Sequence, residues 1–166
     1  MRAAFWASCA ALLVVGVVGW LTLPDRVPLH FGGTGAPDRW GSRNEAVLTT
    51  ALLGGGLVLL FWALARWLPR APASLINLPE ADKRWWLATE ERTTELRRRL
   101  TDDLYLIGAA TVLLIVAVEV MTLTISNDPE PRTPFWFWVI VGGYLVGVIG
   151  WTVWAIARRY RTPRDL

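Results

Sequence analysis

The stretch LYLIGAATVLLIVAVEVMTLTI, residues 104–125, decides the architecture, and its only acidic or basic side chain is Glu119. At about 1.5 Å of rise per residue, a helix of these 22 residues is about 33 Å long. That is enough to cross a hydrocarbon core of about 30 Å. Residues 3–23, 46–68 and 135–157 have the same character, each run being 21 to 23 residues long. Hydrophobic residues make up 54% of the 166, which leaves too little polar surface to keep four such helices in water. Lipid offers the backbone no hydrogen-bond partners, so each run is predicted to be helical. The expected fold is an all-α integral membrane protein with four transmembrane helices.

A pI near 9.6 invites a nucleic-acid reading, but the placement of charge argues against one. Sixteen of the 17 basic residues are Arg, with Lys83 the exception, a usage that fits a GC-rich bacterial genome. Thirteen of them sit at Arg2, between Arg66 and Arg99, and in the tail from Arg158 to Arg164. The other two connections hold Arg26, Arg39, Arg43 and Arg132. By the positive-inside rule both termini and the long middle connection are cytoplasmic, and residues 24–44 and 127–134 face outward. The expected location is the bacterial cell membrane. The first run lacks a small-x-small cleavage site and is expected to remain as a span. Cys9, alone, excludes an intrachain disulfide.

Pro69 and Pro72 stop the second helix. The third is predicted to run from residue 89 to 125, its first third in the cytoplasm. Thr89 is its N-cap, Glu90 and Glu91 favour its positive end, and Glu95 reaches Arg98 or Arg99. Trp85 and Trp86 are expected at the headgroup level, and Trp136 and Trp138 at the outer interface. Gly54, Gly55 and Gly56 read as helix packing. Gly143 and Gly147 place small residues on one side of the fourth helix, a packing face within the chain or between copies. The chain divides into residues 1–68, a two-helix part with the outer loop; 69–103, the connector and helix extension; and 104–166, the second helix pair with its basic tail.

Two places invite chemistry. A carboxylate at mid-helix costs roughly 2.5 to 3.5 kcal/mol on insertion scales, so Glu119 either serves function or pins the outer loop to the bundle. Its expected partners are His30, Arg26, Tyr144 or Thr152. The outer loop holds the only histidine, His30, with three of the ten prolines. One histidine with Asp25 and Asp38 makes a poor metal site, so His30 is expected to donate a hydrogen bond that shapes the loop or reads a ligand. Gly35, Asp38 and Arg39 read as turn chemistry. Nothing pairs a nucleophile with a base, and no phosphate loop is visible, so the chain is not expected to be an enzyme. No cofactor or metal is expected.

Leu23-Pro24, Val27-Pro28, His30-Phe31, Gly35, Pro37-Asp38, Trp40 and Gly41-Ser42 with Arg43 form a dense pattern. It resembles a family of bacterial multi-pass membrane domains of unknown function, also found at the N-terminus of SdpI-type immunity proteins. The segment from Ile76 to Arg92 looks like the cytoplasmic part of actinobacterial members. Immunity proteins of that type protect a cell from a secreted peptide toxin and signal by sequestering a repressor at the membrane. The present chain is shorter, without an evident second half of extra spans.

The resemblance implies that the motif residues Pro24, Asp25, Arg26, Pro28, His30, Phe31, Gly35, Pro37, Asp38, Trp40, Gly41 and Ser42 carry ligand sensing or toxin-immunity-type protection. The ligand would be an extracytoplasmic peptide, and the cytoplasmic helix extension would dock a protein partner. A structural or accessory subunit, using the glycine face in a homo-oligomer or larger complex, is the second expectation. A small transporter through Glu119 is the third.

Overall fold

In a computed structural model, which describes residues 1–162, four helices are long and apolar enough to cross a membrane. They are α1 (Arg2–Thr22), α2 (Arg43–Trp67), α4 (Glu90–Ile125) and α5 (Phe135–Trp154), with a short α3 (Glu80–Trp86) between the second and third. Arg164, part of the basic tail, lies outside the described residues. The chain is a multi-pass membrane protein. Thr89 caps α4, its Oγ1 accepting from the Arg92 amide at 3.3 Å. The helix then runs unbroken for 36 residues, about 54 Å.

The all-α expectation needs one correction. The connection between α1 and α2 is a β-hairpin, β1 (Arg26–Phe31) against β2 (Pro37–Ser42). Arg26 pairs with Ser42, Pro28 with Trp40, His30 with Arg39 and Phe31 with Pro37, leaving Leu29 and Asp38 as bulge residues. The turn needs Gly35, whose φ is +76°. An isolated two-stranded hairpin is marginal in water; this one is anchored. Leu23 and Val27 are buried with Ala46, and Leu29, Val47 and Leu123 pack around them. The Thr133 amide, in the α4–α5 connection, donates to the Gly35 carbonyl at 2.9 Å.

Helix α4 is the central element. Phe5, Ala65, Tyr105, Ala109 and Val112 form the core between α1, α2 and α4. Of the glycine triplet, Gly54 packs closely on Leu12, whereas Gly55 and Gly56 face open space. Helix α5 stands apart, with none of its residues buried. A bond of 3.0 Å between the Tyr144 and Thr111 hydroxyls ties its middle to α4.

A second core lies at the end opposite the hairpin, where Ile76, Trp86, Leu96, Ala155 and Tyr160 come together. Trp86, expected at the headgroup level, is packed inside this core. It is 4% exposed, and its indole N–H donates to the Tyr160 carbonyl at 2.7 Å, a partner that water or lipid would otherwise supply. Arg97 donates to the Pro69 and Ala71 carbonyls at 2.6 and 3.1 Å, tying the connector to α4. The Tyr160 hydroxyl donates to Asp103, beside which Arg159 lies at 3.4 Å. Burial and the adjacent Asp103 carboxylate push the Tyr160 phenol above its usual range. We call this assembly the platform.

Candidate functional site

The hairpin roofs a cleft of about 230 Å³ between α2 and α4. Pro28, Leu29 and Arg39 come from the hairpin, Thr49, Thr50 and Leu53 from α2, and Ile115, Val118, Glu119 and Thr122 from α4. Pro28 is among the fully buried side chains. A proline there costs a two-stranded ribbon little, because both strands are edges and one missing donor is tolerated. The bulge at Leu29 locally disrupts the ladder where the strand meets the cleft.

Glu119 is 2% exposed. Its Oε2 accepts from the Thr50 hydroxyl at 2.8 Å, and its Oε1 has no donor among the described residues. None of the four partners expected from sequence bonds to it. His30 is instead solvent-exposed, its Nδ1 2.6 Å from the Asp38 carboxylate. Arg26 lies over the Trp40 ring, 4.7 Å from the centroid. Tyr144 meets Thr111, and Thr152 turns back on the Val148 carbonyl. Thr50 wins because α2 and α4 face each other beneath the hairpin, and a hydroxyl on a lipid-embedded helix needs an acceptor. Close approach of α1 completes the arrangement. A Cβ built on Gly19 would lie 2.9 Å from Glu119 Oε1, so the absence of a side chain there makes the approach possible.

The remaining motif residues hold the roof in place. Pro24 follows the end of α1. Asp25 meets Arg43 at 3.2 Å, and Arg39 pairs with Glu45. Asp38 is a β2 residue rather than part of the turn. Phe31 and Pro37, both half-buried, close the strand pairing before the turn. Gly41 has no room for a side chain, since Glu45 and Leu29 occupy the space a Cβ would need. Ser42 caps α2, its Oγ accepting from the Glu45 amide at 3.1 Å. The exposed ion pairs each contribute about 0–1 kcal/mol, so the hairpin is held chiefly by its apolar underside.

Gly143 and Gly147 line a groove of about 240 Å³ between α4 and α5. A Cβ at either would meet nothing within 4 Å among the described residues, so they make no close packing inside the chain. Sequence reasoning missed Gly19 and Leu29. It did not pair Thr50 with Glu119. The alternation of apolar residues at Val27, Leu29 and Phe31 was the available sign of a strand.

Residues 7–54, which comprise most of α1, the hairpin and the first half of α2, match the family described as a domain of unknown function, DUF1648. An uncharacterized protein of the archaeon Archaeoglobus fulgidus is 34% identical over 74 residues, a match covering 43% of this chain and 40% of that relative. No solved structure matches the chain. The part matched by the family therefore carries the roof of the cleft and its α2 wall.

Proposed function

We propose that the chain is a membrane sensor whose binding element is the cleft beneath the hairpin. One observation carries the reading. A buried carboxylate with an unbonded oxygen lines a cleft, and it sits on the same unbroken helix that builds the platform. Glu119 and Glu95 are 24 residues apart on α4, about 36 Å along its axis. Binding that turned or tilted α4 at the cleft would displace the platform. The arginine bias supports a hairpin facing outward and a platform in the cytoplasm. Protection from a secreted peptide toxin, the role implied by the resemblance to SdpI-type immunity proteins, is one use of such a device. A transport reading fares worse: between Glu119 and Asp103 the buried residues of α4 are Tyr105, Gly108, Ala109 and Val112, of which only Tyr105, packed against Phe5, carries a polar side-chain atom.

The test uses full-length protein with Cys9→Ser. An impermeant maleimide should label Thr34→Cys in intact cells; protection there overturns the orientation. A fluorophore on Thr94→Cys, at an exposed platform position, should change its emission when residues 29–41 are replaced by a Gly/Ser linker. Unchanged emission in a variant that still inserts refutes the coupling between cleft and platform.

A second reading, an accessory subunit or homo-oligomer, draws on the open glycine face of α5. Loss of a co-purifying partner or copy in Gly143→Leu with Gly147→Leu would favour it.

A further inference from the structure

Among the described residues, Glu119 has no counter-charge: Thr50 bonds its Oε2, and its Oε1 is unbonded. Arg39, the one basic residue lining the cleft among the described residues, is engaged by Glu45. Arg43 is held by Asp25, and Arg26 lies on Trp40. A carboxylate buried this deeply holds a proton or is matched by a cation from outside. The cleft has walls suited to the second case. Pro28, Leu29, Leu53 and Ile115 are apolar, while the Glu119 carboxylate and the Thr49 and Thr50 hydroxyls are acceptors for N–H donors. Its volume of about 230 Å³ lies below the roughly 300–1,000 Å³ of pockets for drug-sized ligands, so it suits a group no larger than a side chain.

We propose that the cleft binds a primary ammonium on a short aliphatic arm, with Glu119 as its counter-ion. The assignment rests on the cleft being the sensor's binding element. The arm lies along Leu29 and Leu53, and the ammonium donates to Glu119 and to a threonine hydroxyl. A free alkylamine and the lysine side chain of an external peptide share this chemistry.

The experiment is calorimetric titration of the full chain in phosphatidylcholine nanodiscs, a lipid without a primary amine. The probes are butylammonium, acetyl-Gly-Lys-Gly-amide, tetramethylammonium and butanol. Butylammonium should bind saturably, while tetramethylammonium, with no N–H to donate, and butanol, with no charge, should not. Binding by the lysine peptide as well assigns the site to a peptide; binding by butylammonium alone assigns it to a free amine. Glu119→Gln keeps the shape and removes the charge, and should weaken butylammonium by about tenfold to a hundredfold. Leu53→Trp fills the cleft with Glu119 intact, and should also abolish binding if Glu119→Gln fails to fold.

No saturable binding to the native protein, or equal binding after either substitution, overturns the assignment. If binding is absent while the Thr94 fluorophore still responds to hairpin replacement, the ammonium is wrong and the sensor stands. If butylammonium binds while the fluorophore stays silent, the ammonium site stands and its coupling to the platform fails.

Discussion

Substitution of Gly19 by alanine tests the contact that brings α1 against the buried carboxylate. The new methyl would sit 2.9 Å from Glu119 Oε1, whereas ordinary contact begins at 3.4 Å. One side must yield by about half an ångström. The carboxylate is poorly placed to do so, because Thr50 holds Oε2 at 2.8 Å. Overpacking of this kind typically costs about 1–3 kcal/mol. Glu119→Ala removes the obstructing oxygen at the expense of the Thr50 bond. In the G19A/E119A double variant the methyl then has room. Its stability should exceed the sum of the single changes by about 1–2 kcal/mol. The assay is reversible unfolding in mixed micelles titrated with sodium dodecyl sulfate, followed by tryptophan fluorescence. Additivity within about 0.5 kcal/mol, or a neutral Gly19→Ala, would refute the packing argument.

Gly35→Ala places a side chain at φ +76° and should cost about 1–2 kcal/mol. The effect should be local, seen as faster amide exchange at Gly32 and Thr133 with the helix amides unchanged. Tyr160→Phe removes the phenol donor from Asp103, which is 8% exposed, and should destabilise the platform by about 1–3 kcal/mol, read as faster proteolysis near Pro72. Hydrogen bonds from Arg98 and Arg99 hold the Glu95 carboxyl down at about 2, from an ordinary 4.5. A depressed folded value means that the stabilisation is fully present above about pH 4.5 and is lost as pH falls towards 2. Fraying of the first third of α4 by circular dichroism should follow that window, and Glu95→Gln should remove the dependence.

The spans were legible because lipid imposes a length and a polarity that a linear reading can measure. The start of α4 was legible too, since Thr89 with two following glutamates is a local cap signal. The hairpin was not. Its six-residue strands contain Pro28 and Pro37 with charges at Arg26, Asp38 and Arg39, a composition shared with loops, and pairing is settled between strands. Glu119 announced itself as the one acid in an apolar run. Its partner did not, because Thr50 is 69 positions away and the rotation of α2 about its axis is not written locally. The same holds for Asp103 and Tyr160, 57 positions apart. Gly19 carried no distinguishing mark, since glycine in a membrane helix serves several ends.

Helix α5 is fastened near one end through Thr133 to the hairpin turn, at its middle through Tyr144 to Thr111, and beyond the other end through Tyr160 to Asp103, and it lies open between these points. Exchanges among leucine, valine and isoleucine along Val139, Leu145, Val146 or Ile149 swap one lipid-facing surface for another. Selection there acts on length and oiliness, while residue identity is free to drift. Lineages carrying this chain should accumulate apolar replacements at those positions faster than at the three fastenings, where a single change is felt by the rest of the molecule.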